Sequence, residues 1–265
     1  MTPSQDMQGS EPLLSVRGVC VTFGGIVALN GVSFDLRRGH ILGLIGPNGA
    51  GKTTLFNCLS RLYQPSQGDI LLEGETILKQ PPHRIPDIGI GRTFQNVALF
   101  HNLSVLDNIR IGAHSRTRSD AVSDMLKLPW VRREEKALDK RAREIADYLD
   151  LLDVAERPVA GLPFGTQKRV ELGRALAAEP KILLLDEPAG GLNHEEVHAL
   201  GDLIRKIRDQ RGITVLLVEH HMGLVMSIAD HVVALNFGKK LAEGPPAAVQ
   251  SDPEVIKAYL GSKDT

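Results

Sequence analysis

The sequence is poor in several kinds of residue, and each shortage excludes a class of protein. Only 2 of the 265 residues are cysteine, Cys20 and Cys58, with no second thiol or histidine at metal-ligand spacing, which argues against a disulfide scaffold and fits a reducing compartment. We predict that both are small core residues. The net charge is −1, so no overall electrostatic attraction to nucleic acid or acidic lipid is expected. The longest apolar runs, around 182–185 and 213–218, fall far short of the roughly 20 residues that span a bilayer.

The composition and length of the chain are typical of a large globular domain. With 42% apolar and 24% charged residues, a chain of this length can bury a full core and is neither disordered nor fibrous. The first 12 residues are polar and acidic and do not resemble a signal peptide, so we predict a flexible leader over residues 1–12 and a short tail over residues 262–265.

The apolar pattern predicts an α/β fold. Residues 13–36 alternate in polarity with Gly24-Gly25 and Asn30-Gly31 as turns, which is typical of antiparallel strands. Three nearly all-apolar runs, at 41–45, 182–185 and 213–218, are typical of buried strands in a parallel sheet. Helices are predicted over 52–63 and 194–209, the second with a capping box formed by Asn193 and Glu196. Strand, helix and strand in succession form a parallel βαβ unit.

Between these parts, residues 104–178 have helical patterns. Ser104 with Asp107 caps one predicted helix, and apolar residues recur at helical spacing on another, namely Leu138, Ala142, Ile145, Leu149 and Leu152. The basic residues around Trp130 are interpreted as a solvated surface, with headgroup contact as the alternative. We therefore predict a single domain over residues 13–261 with an inserted helical subdomain at about 104–178.

One glycine-rich segment carries a phosphate-binding signal. The run Gly46, Pro47, Asn48, Gly49, Ala50, Gly51, Lys52, Thr53 fits the P-loop pattern and lies between a buried strand and a helix that continues through Thr54. Such glycines let backbone N–H groups surround phosphates, Lys52 is placed to neutralise the β and γ oxygens, and Thr53 offers a hydroxyl to Mg²⁺. This motif in this context predicts nucleotide binding.

Two carboxylates follow the buried strand at 182–185. Asp186 is placed to hold the Mg²⁺ shell, and Glu187 to polarise the attacking water as general base. An Asp-Glu pair alone is weak evidence, but together with an upstream P-loop it indicates a P-loop NTPase.

Further segments narrow the class. Leu162-Pro-Phe-Gly-Thr-Gln-Lys-Arg169 resembles the signature segment of ABC (ATP-binding cassette) ATPases, Gln95 resembles their Q-loop glutamine, and His220 resembles their switch histidine. Phe23 stands where that family stacks an aromatic ring on adenine, although an ordinary core phenylalanine is the alternative. The resemblance covers residues 13–261. It implies a P-loop NTPase core with a mixed, mainly parallel sheet, an antiparallel β subdomain and an inserted helical subdomain.

Within that family the chain resembles the ATP-binding proteins of branched-chain amino-acid uptake systems. The features of this narrower resemblance are Gly91–Asn96, the long insertion after Ile111, Pro188–Asn193, Glu219–Met222 and Asp252–Gly261. The resemblance implies ATP and Mg²⁺ as cofactors, a second ATPase subunit, two transmembrane permease subunits and, indirectly, an external solute-binding protein. It implies a peripheral position on the cytoplasmic face of the inner membrane, with no direct membrane span and no nucleic acid.

The resemblance also assigns roles to individual residues. Glu187, His220 and Gln95 are the expected catalytic residues, and Thr53, Gln95 and Asp186 the expected metal ligands. Nucleotide contacts are expected from Phe23, from the P-loop through Thr54, and from Gly165 and Thr166 of the signature, which serves the site of the opposite subunit. The chain departs from the family at Pro163, Phe164, Thr166 and Asn193, where serine, glycine, glutamine and aspartate are usual.

Rival functions remain open at this stage. A soluble ABC protein of translation or DNA repair usually has two cassettes or a long coiled coil, and this chain has one P-loop and no sustained heptads. A P-loop kinase or GTPase is expected to carry a phosphate-acceptor pocket or a guanine-reading Asn-Lys-x-Asp stretch, and no such stretch is present. A regulatory module that holds ATP without hydrolysing it is favoured by the imperfect signature and opposed by Glu187 and His220.

Overall fold

The computed structural model describes residues 11–93, 99–113 and 129–260. The chain divides into two compact units, and each is described by itself. The first unit joins Met1–Pro82 to Ile204–Thr265, and the second is His83–Leu203. Most of the predicted leader and tail therefore lies outside the described residues.

The first unit contains an antiparallel sheet with the strand order β2-β1-β4-β5. Its strands are β1 (Leu14–Phe23), β2 (Ile26–Leu36), β4 (Gln67–Leu72) and β5 (Glu75–Thr76). The β1/β2 hairpin confirms the antiparallel strands that alternation predicts over residues 13–36. Cys20 is only half-buried in β1, contrary to the expected core position, whereas Cys58 is buried. Burial raises the pKa of the Cys58 thiol to about 11.

The first unit also contains four strands in the order β10-β9-β3-β8. These are β3 (Ile41–Ile45), β8 (Thr214–Val218), β9 (His231–Asn236) and β10 (Lys239–Gly244). The strand β3 runs parallel to both β8 and β9, and every residue of β3 and β8 is buried. Burial on both faces explains why these strands read as unbroken apolar runs.

Among the described residues, four α-helices lie wholly in the first unit. They are α1 (Lys52–Leu59), α6 (Met222–Ile228), α7 (Pro246–Gln250) and α8 (Pro253–Leu260). The helix α1 is shorter than the predicted span of 52–63, because Ser60 caps it and Arg61 takes a positive φ of 59°. A left-handed residue ends a helix in the same way as a C-terminal glycine, but an arginine gives no such signal in the sequence.

The second unit combines two parallel strands with helices. The strands are β6 (Ile90–Arg92) and β7 (Ile182–Asp186), and the helices are α2 (Val105–Gly112), α3 (Pro129–Tyr148) and α4 (Phe164–Ala177). The helix α5 (His194–Arg211) begins in the second unit and ends in the first. Ser104 caps α2 by accepting the Asp107 N–H, as predicted. A separate subdomain at 104–178 stays a prediction.

The apolar stripe predicted around α3 is partly confirmed. Ala142 and Ile145 are buried on the helix, and Leu138 is half-buried. Leu149 is buried just after the helix ends, but Leu152 lies in a short 3₁₀ turn and is 46% exposed. Among the described residues, no helix has both the length and the apolar content needed to cross a membrane.

Candidate nucleotide site

The P-loop has a backbone shape that only glycine permits at two of its positions. Gly46 has φ 151°, and a Cβ there would lie 2.3 Å from the carbonyl oxygen of Leu235. Gly51 has φ 102°, and a Cβ there would lie 2.7 Å from the carbonyl oxygen of Ala28. A side chain at either position would push the loop away from the strands beneath it.

The side chain of Lys52 stabilises the loop by hydrogen bonds to its carbonyl groups. Its ammonium is buried and donates to the carbonyl oxygens of Gly46 at 2.7 Å and Pro47 at 3.0 Å. The loop is also fixed from below, because Gly238, in the turn between β9 and β10, donates to the Ala50 carbonyl and accepts from the Asn30 N–H. The cradle is therefore shaped by the protein's own contacts.

The end of this loop is the start of α1. Gly51 is the N-cap residue, and the first turn presents the N–H groups of Thr53 and Thr54 at the positive end of the helix dipole. Glycines that exclude a Cβ, a buried ammonium and a helix N-terminus together suit a polyphosphate. The residues present therefore fit the nucleotide that the P-loop pattern predicts.

Phe23 ends β1 and is 44% exposed, so it is not the core phenylalanine of the alternative interpretation. Its ring meets Tyr63 edge-on, with centroids 5.1 Å apart. This contact supports one edge of the ring and leaves much of its surface accessible for stacking.

Two adjacent histidines follow β8 and have different environments. His221 caps α6, because its Nδ1 accepts the Leu224 N–H at 3.3 Å, whereas His220 is exposed. The buried carboxylate of Glu219 accepts both the His220 N–H at 3.0 Å and the His221 N–H at 3.2 Å. Glu219 thus shapes the turn that presents His220.

His220 and the P-loop line one cleft of about 840 Å³ within the first unit. Residues 46–48 and Ala50 form part of its wall, with Phe237 of the β9/β10 turn and Lys257 and Tyr259 of α8. Burial raises the pKa of the Tyr259 hydroxyl, and a backbone interaction with Gly46 partly offsets the rise. The C-terminal helix is therefore part of the surroundings of the P-loop, which the sequence did not indicate.

The second unit positions the two consecutive carboxylates. Asp186 is the last residue of β7 and is 1% exposed. Glu187 follows with φ 49°, and its carbonyl accepts the Gly190 N–H at 3.2 Å. A positive φ at a non-glycine residue is a strained conformation that is common at functional sites, and here it turns the chain sharply after the strand.

The charge of Asp186 is balanced by an arginine that the sequence analysis did not single out. Arg92, at the end of β6, donates from Nη2 to Asp186 Oδ2 at 2.9 Å. The two side chains are 9% and 1% exposed. Arg92 lies in the segment Gly91–Asn96, but nothing in the sequence links it to a carboxylate 94 positions later.

The signature segment opens α4. Pro163 is the N-cap residue with no side-chain hydrogen bond, and Gly165 and Thr166 follow in the first turn. The N–H groups of that turn have no partner within the helix, so the backbone donors remain although the capping hydroxyl is lost. Gln167 secures the turn by donating from Nε2 to the Leu162 carbonyl at 2.9 Å.

The other departures are accommodated within the second unit. The ring of Phe164 lies over Gly191, where a Cβ would approach it to 2.9 Å. Asn193 keeps the expected capping box, because its Oδ1 accepts the Glu196 N–H while Glu196 accepts the Asn193 N–H. A Cβ on Gly165 would lie 2.8 Å from the Glu196 carboxylate, so a side chain there would require Glu196 to move.

Each unit carries one of the oxygen donors expected for magnesium. Thr53 offers a hydroxyl and Asp186 a carboxylate, which are ligand types that Mg²⁺ takes together with phosphate oxygens. Gln95, the third expected ligand and a candidate catalytic residue, lies outside the described residues. The first unit thus groups the P-loop with His220, and the second carries Asp186, Glu187 and the signature.

The family comparison agrees with this geometry. Residues 29–190 match the model of the ABC transporter family, and residues 239–265 match the branched-chain amino acid ATP-binding cassette transporter model. The chain belongs to the ABC transporter family.

Individual relatives narrow the comparison further. The chain is 44% identical to the high-affinity branched-chain amino acid transport ATP-binding protein BraF of Pseudomonas aeruginosa, over 95% of this chain and 99% of BraF. It is 42% identical to LivG of Escherichia coli, which has the same description, over 95% and 99% of the two chains. The ADP conformation of MJ1267, an ATP-binding cassette of an ABC transporter, is 30% identical with a TM-score of 0.83 and covers 95% of this chain and 100% of that one. The predicted fold class is confirmed.

Proposed function

We propose that the chain is the ATP-hydrolysing subunit of an ABC importer for branched-chain or other hydrophobic amino acids. The observation that carries the proposal is the full-length similarity to BraF, together with a P-loop shaped for phosphates. The chain would work with a second ATPase subunit and two permease subunits, and indirectly with an external solute-binding protein. Its place would be the cytoplasmic face of the membrane, held through the permease.

In this proposal the first unit binds the nucleotide. Phe23 stacks on the adenine, and the backbone of residues 46–54 surrounds the phosphates. Lys52 exchanges its carbonyl contacts for phosphate oxygens, which is favourable because charge-assisted hydrogen bonds are the stronger ones. His220 contacts the terminal phosphate from the turn that Glu219 shapes.

The remaining proposed residues would hold the metal ion and activate the attacking water. Thr53 and Asp186 are the proposed ligands of Mg²⁺, with Gln95 as the third, and the bound ion neutralises charge on the phosphates. Glu187 orients a water molecule and accepts its proton as the water attacks the terminal phosphorus, so that ADP and phosphate are formed. The first turn of α4 offers Gly165 and Thr166 to the nucleotide of the opposite subunit.

The test is the assembled transporter with Glu187→Gln. In proteoliposomes that contain both ATPases and the permease, ATP-dependent uptake of leucine should be lost. ATP should still bind, because only the base is removed, and hydrolysis should fall roughly 10²–10⁴-fold. Glu195→Gln, the same change on an exposed residue of the first turn of α5, is the matched control.

Two results would contradict the proposal. Equal ATPase rates in Glu187→Gln and wild type would remove Glu187 from the mechanism. Uptake of a charged amino acid but not of leucine by the wild-type complex would overturn the proposed substrate class.

A further inference from the structure

The ion pair between Arg92 and Asp186 stands out because both charges are buried. The side chains are 9% and 1% exposed, and Nη2 lies 2.9 Å from Oδ2. Salt screens such a pair much less than a surface pair. Loss of one partner would remove this compensation from the other charge in a low-dielectric site.

The backbone fixes this pair in register. In the parallel pairing of β6 with β7, Arg92 lies opposite Leu184. The next residue, Thr93, donates its N–H to the Leu184 carbonyl at 2.9 Å, and its hydroxyl accepts the Asp186 N–H at 3.4 Å. The guanidinium therefore approaches Asp186 from a strand whose position is set by several contacts.

We propose that Arg92 is a positioning residue that serves as the counter-charge of Asp186 when no metal is bound and competes with Mg²⁺ for that carboxylate. The inference rests on the proposed role of Asp186 as a magnesium ligand. Two cations that share one buried carboxylate repel each other, so each weakens the binding of the other. Arg92 thereby stabilises the metal-free protein and lowers its affinity for the metal, which favours release after hydrolysis.

A purely structural ion pair makes a different prediction. If Arg92 only joined β6 to β7, its loss would lower stability and leave the magnesium requirement unchanged. The two roles are therefore separated by measuring the melting temperature of the full-length subunit, first in EDTA and then with saturating ADP while Mg²⁺ is titrated.

The variants are Arg92→Met, Arg92→Lys, Asp186→Asn and the double variant of Arg92→Met with Asp186→Asn. Arg143→Met is the control, because Arg143 forms exposed ion pairs with Asp139 and Glu156 in the same unit. In EDTA, Arg92→Met should melt roughly 5 °C or more below wild type, and the double variant should lose much less than the sum of the two single changes. The Mg²⁺ concentration for half of the stabilisation should fall about threefold or more in Arg92→Met. It should stay near the wild-type value in Arg92→Lys and in Arg143→Met.

Each outcome decides the proposal. An unchanged or higher magnesium requirement in Arg92→Met, or additive losses in the double variant, overturns it. Should Arg92→Met not fold, a double variant that folds supports the charge pairing, and one that also fails to fold overturns it. If Asp186→Asn has the wild-type magnesium requirement, the proposed metal role of Asp186 is wrong. If that variant needs more Mg²⁺ while Arg92→Met is unchanged, only the role of Arg92 is wrong.

Discussion

The P-loop and the signature segment both present backbone N–H groups at the start of a helix, yet they differ in what their sequences must provide. The P-loop needs glycine at Gly46 and Gly51, because carbonyl oxygens of neighbouring strands occupy the space of a side chain. At the start of α4, Pro163 replaces the usual capping serine, and the helix still begins at Phe164. A loop that surrounds a ligand needs particular residues, because its backbone conformation allows only glycine at some positions. A helix N-terminus donates hydrogen bonds from backbone N–H groups and therefore tolerates changes of side chain.

The largest effect is expected for Lys52→Ala, which tests how far the P-loop depends on a single side chain. Lys52 supplies two hydrogen bonds that keep the loop in shape and is the proposed cation for the phosphates. Charged hydrogen bonds contribute about 1.5–3 kcal/mol each, so loss of the bonds that Lys52 would donate to two phosphate oxygens should weaken MgATP binding roughly 100-fold or more. Calorimetric titration of the isolated subunit measures this, and Lys140→Ala on exposed α3 serves as control. Near-normal affinity would show that the backbone alone holds the phosphates.

An intermediate effect is expected just before α2, at Leu99 and Phe100. For the apolar segment 97–100, which follows Gln95, the sequence leaves two interpretations, a surface that docks a permease helix and plain core packing. Val97 and Ala98 lie outside the described residues, but Leu99 is 7% exposed and Phe100 52%. Phe100→Glu should therefore reduce coupled uptake and leave the melting temperature of the subunit unchanged. Leu99→Glu should lower the melting temperature strongly, because it buries an unpaired charge. A collapse in stability for Phe100→Glu would show that the segment is core.

The smallest effect is expected for Pro163→Ser, which tests how far the signature segment depends on its N-cap side chain. Serine can cap α4, and a cap contributes about 1 kcal/mol, so the melting temperature should rise by roughly 2–4 °C. The restored hydroxyl should also speed hydrolysis roughly threefold to tenfold at the opposite ATP site, measured in single turnovers of the assembled complex. With a partner ATPase that has the usual signature, the site built on Lys52 should be the faster one in wild type. An unchanged rate at the opposite site would show that Gly165 and Thr166 compensate fully.

The sequence predicts some features of the fold and the site better than others. The buried strands and the P-loop were predictable, because unbroken apolar runs and spaced glycines report local requirements. The end of α1 was not, since Arg61 takes a glycine-like conformation that its side chain does not suggest. The pairing of Arg92 with Asp186 and the approach of α8 to the P-loop depend on contacts between residues far apart in the chain. The role of Glu187 came from its place after a buried strand, and the roles of Gln95 and His220 came from family resemblance. All three stay predictions.

The support beneath the P-loop has a consequence for how the protein is made. The loop is supported by Gly238, whose backbone is hydrogen-bonded to Ala50 and Asn30, far earlier in the sequence. Contacts so distant in sequence form slowly, and during synthesis they cannot form until the β9/β10 turn has left the ribosome. The segment that binds nucleotide is thus translated early and acquires its supported shape late. ATP therefore cannot stabilise the supported loop in the nascent chain until synthesis has passed Gly238.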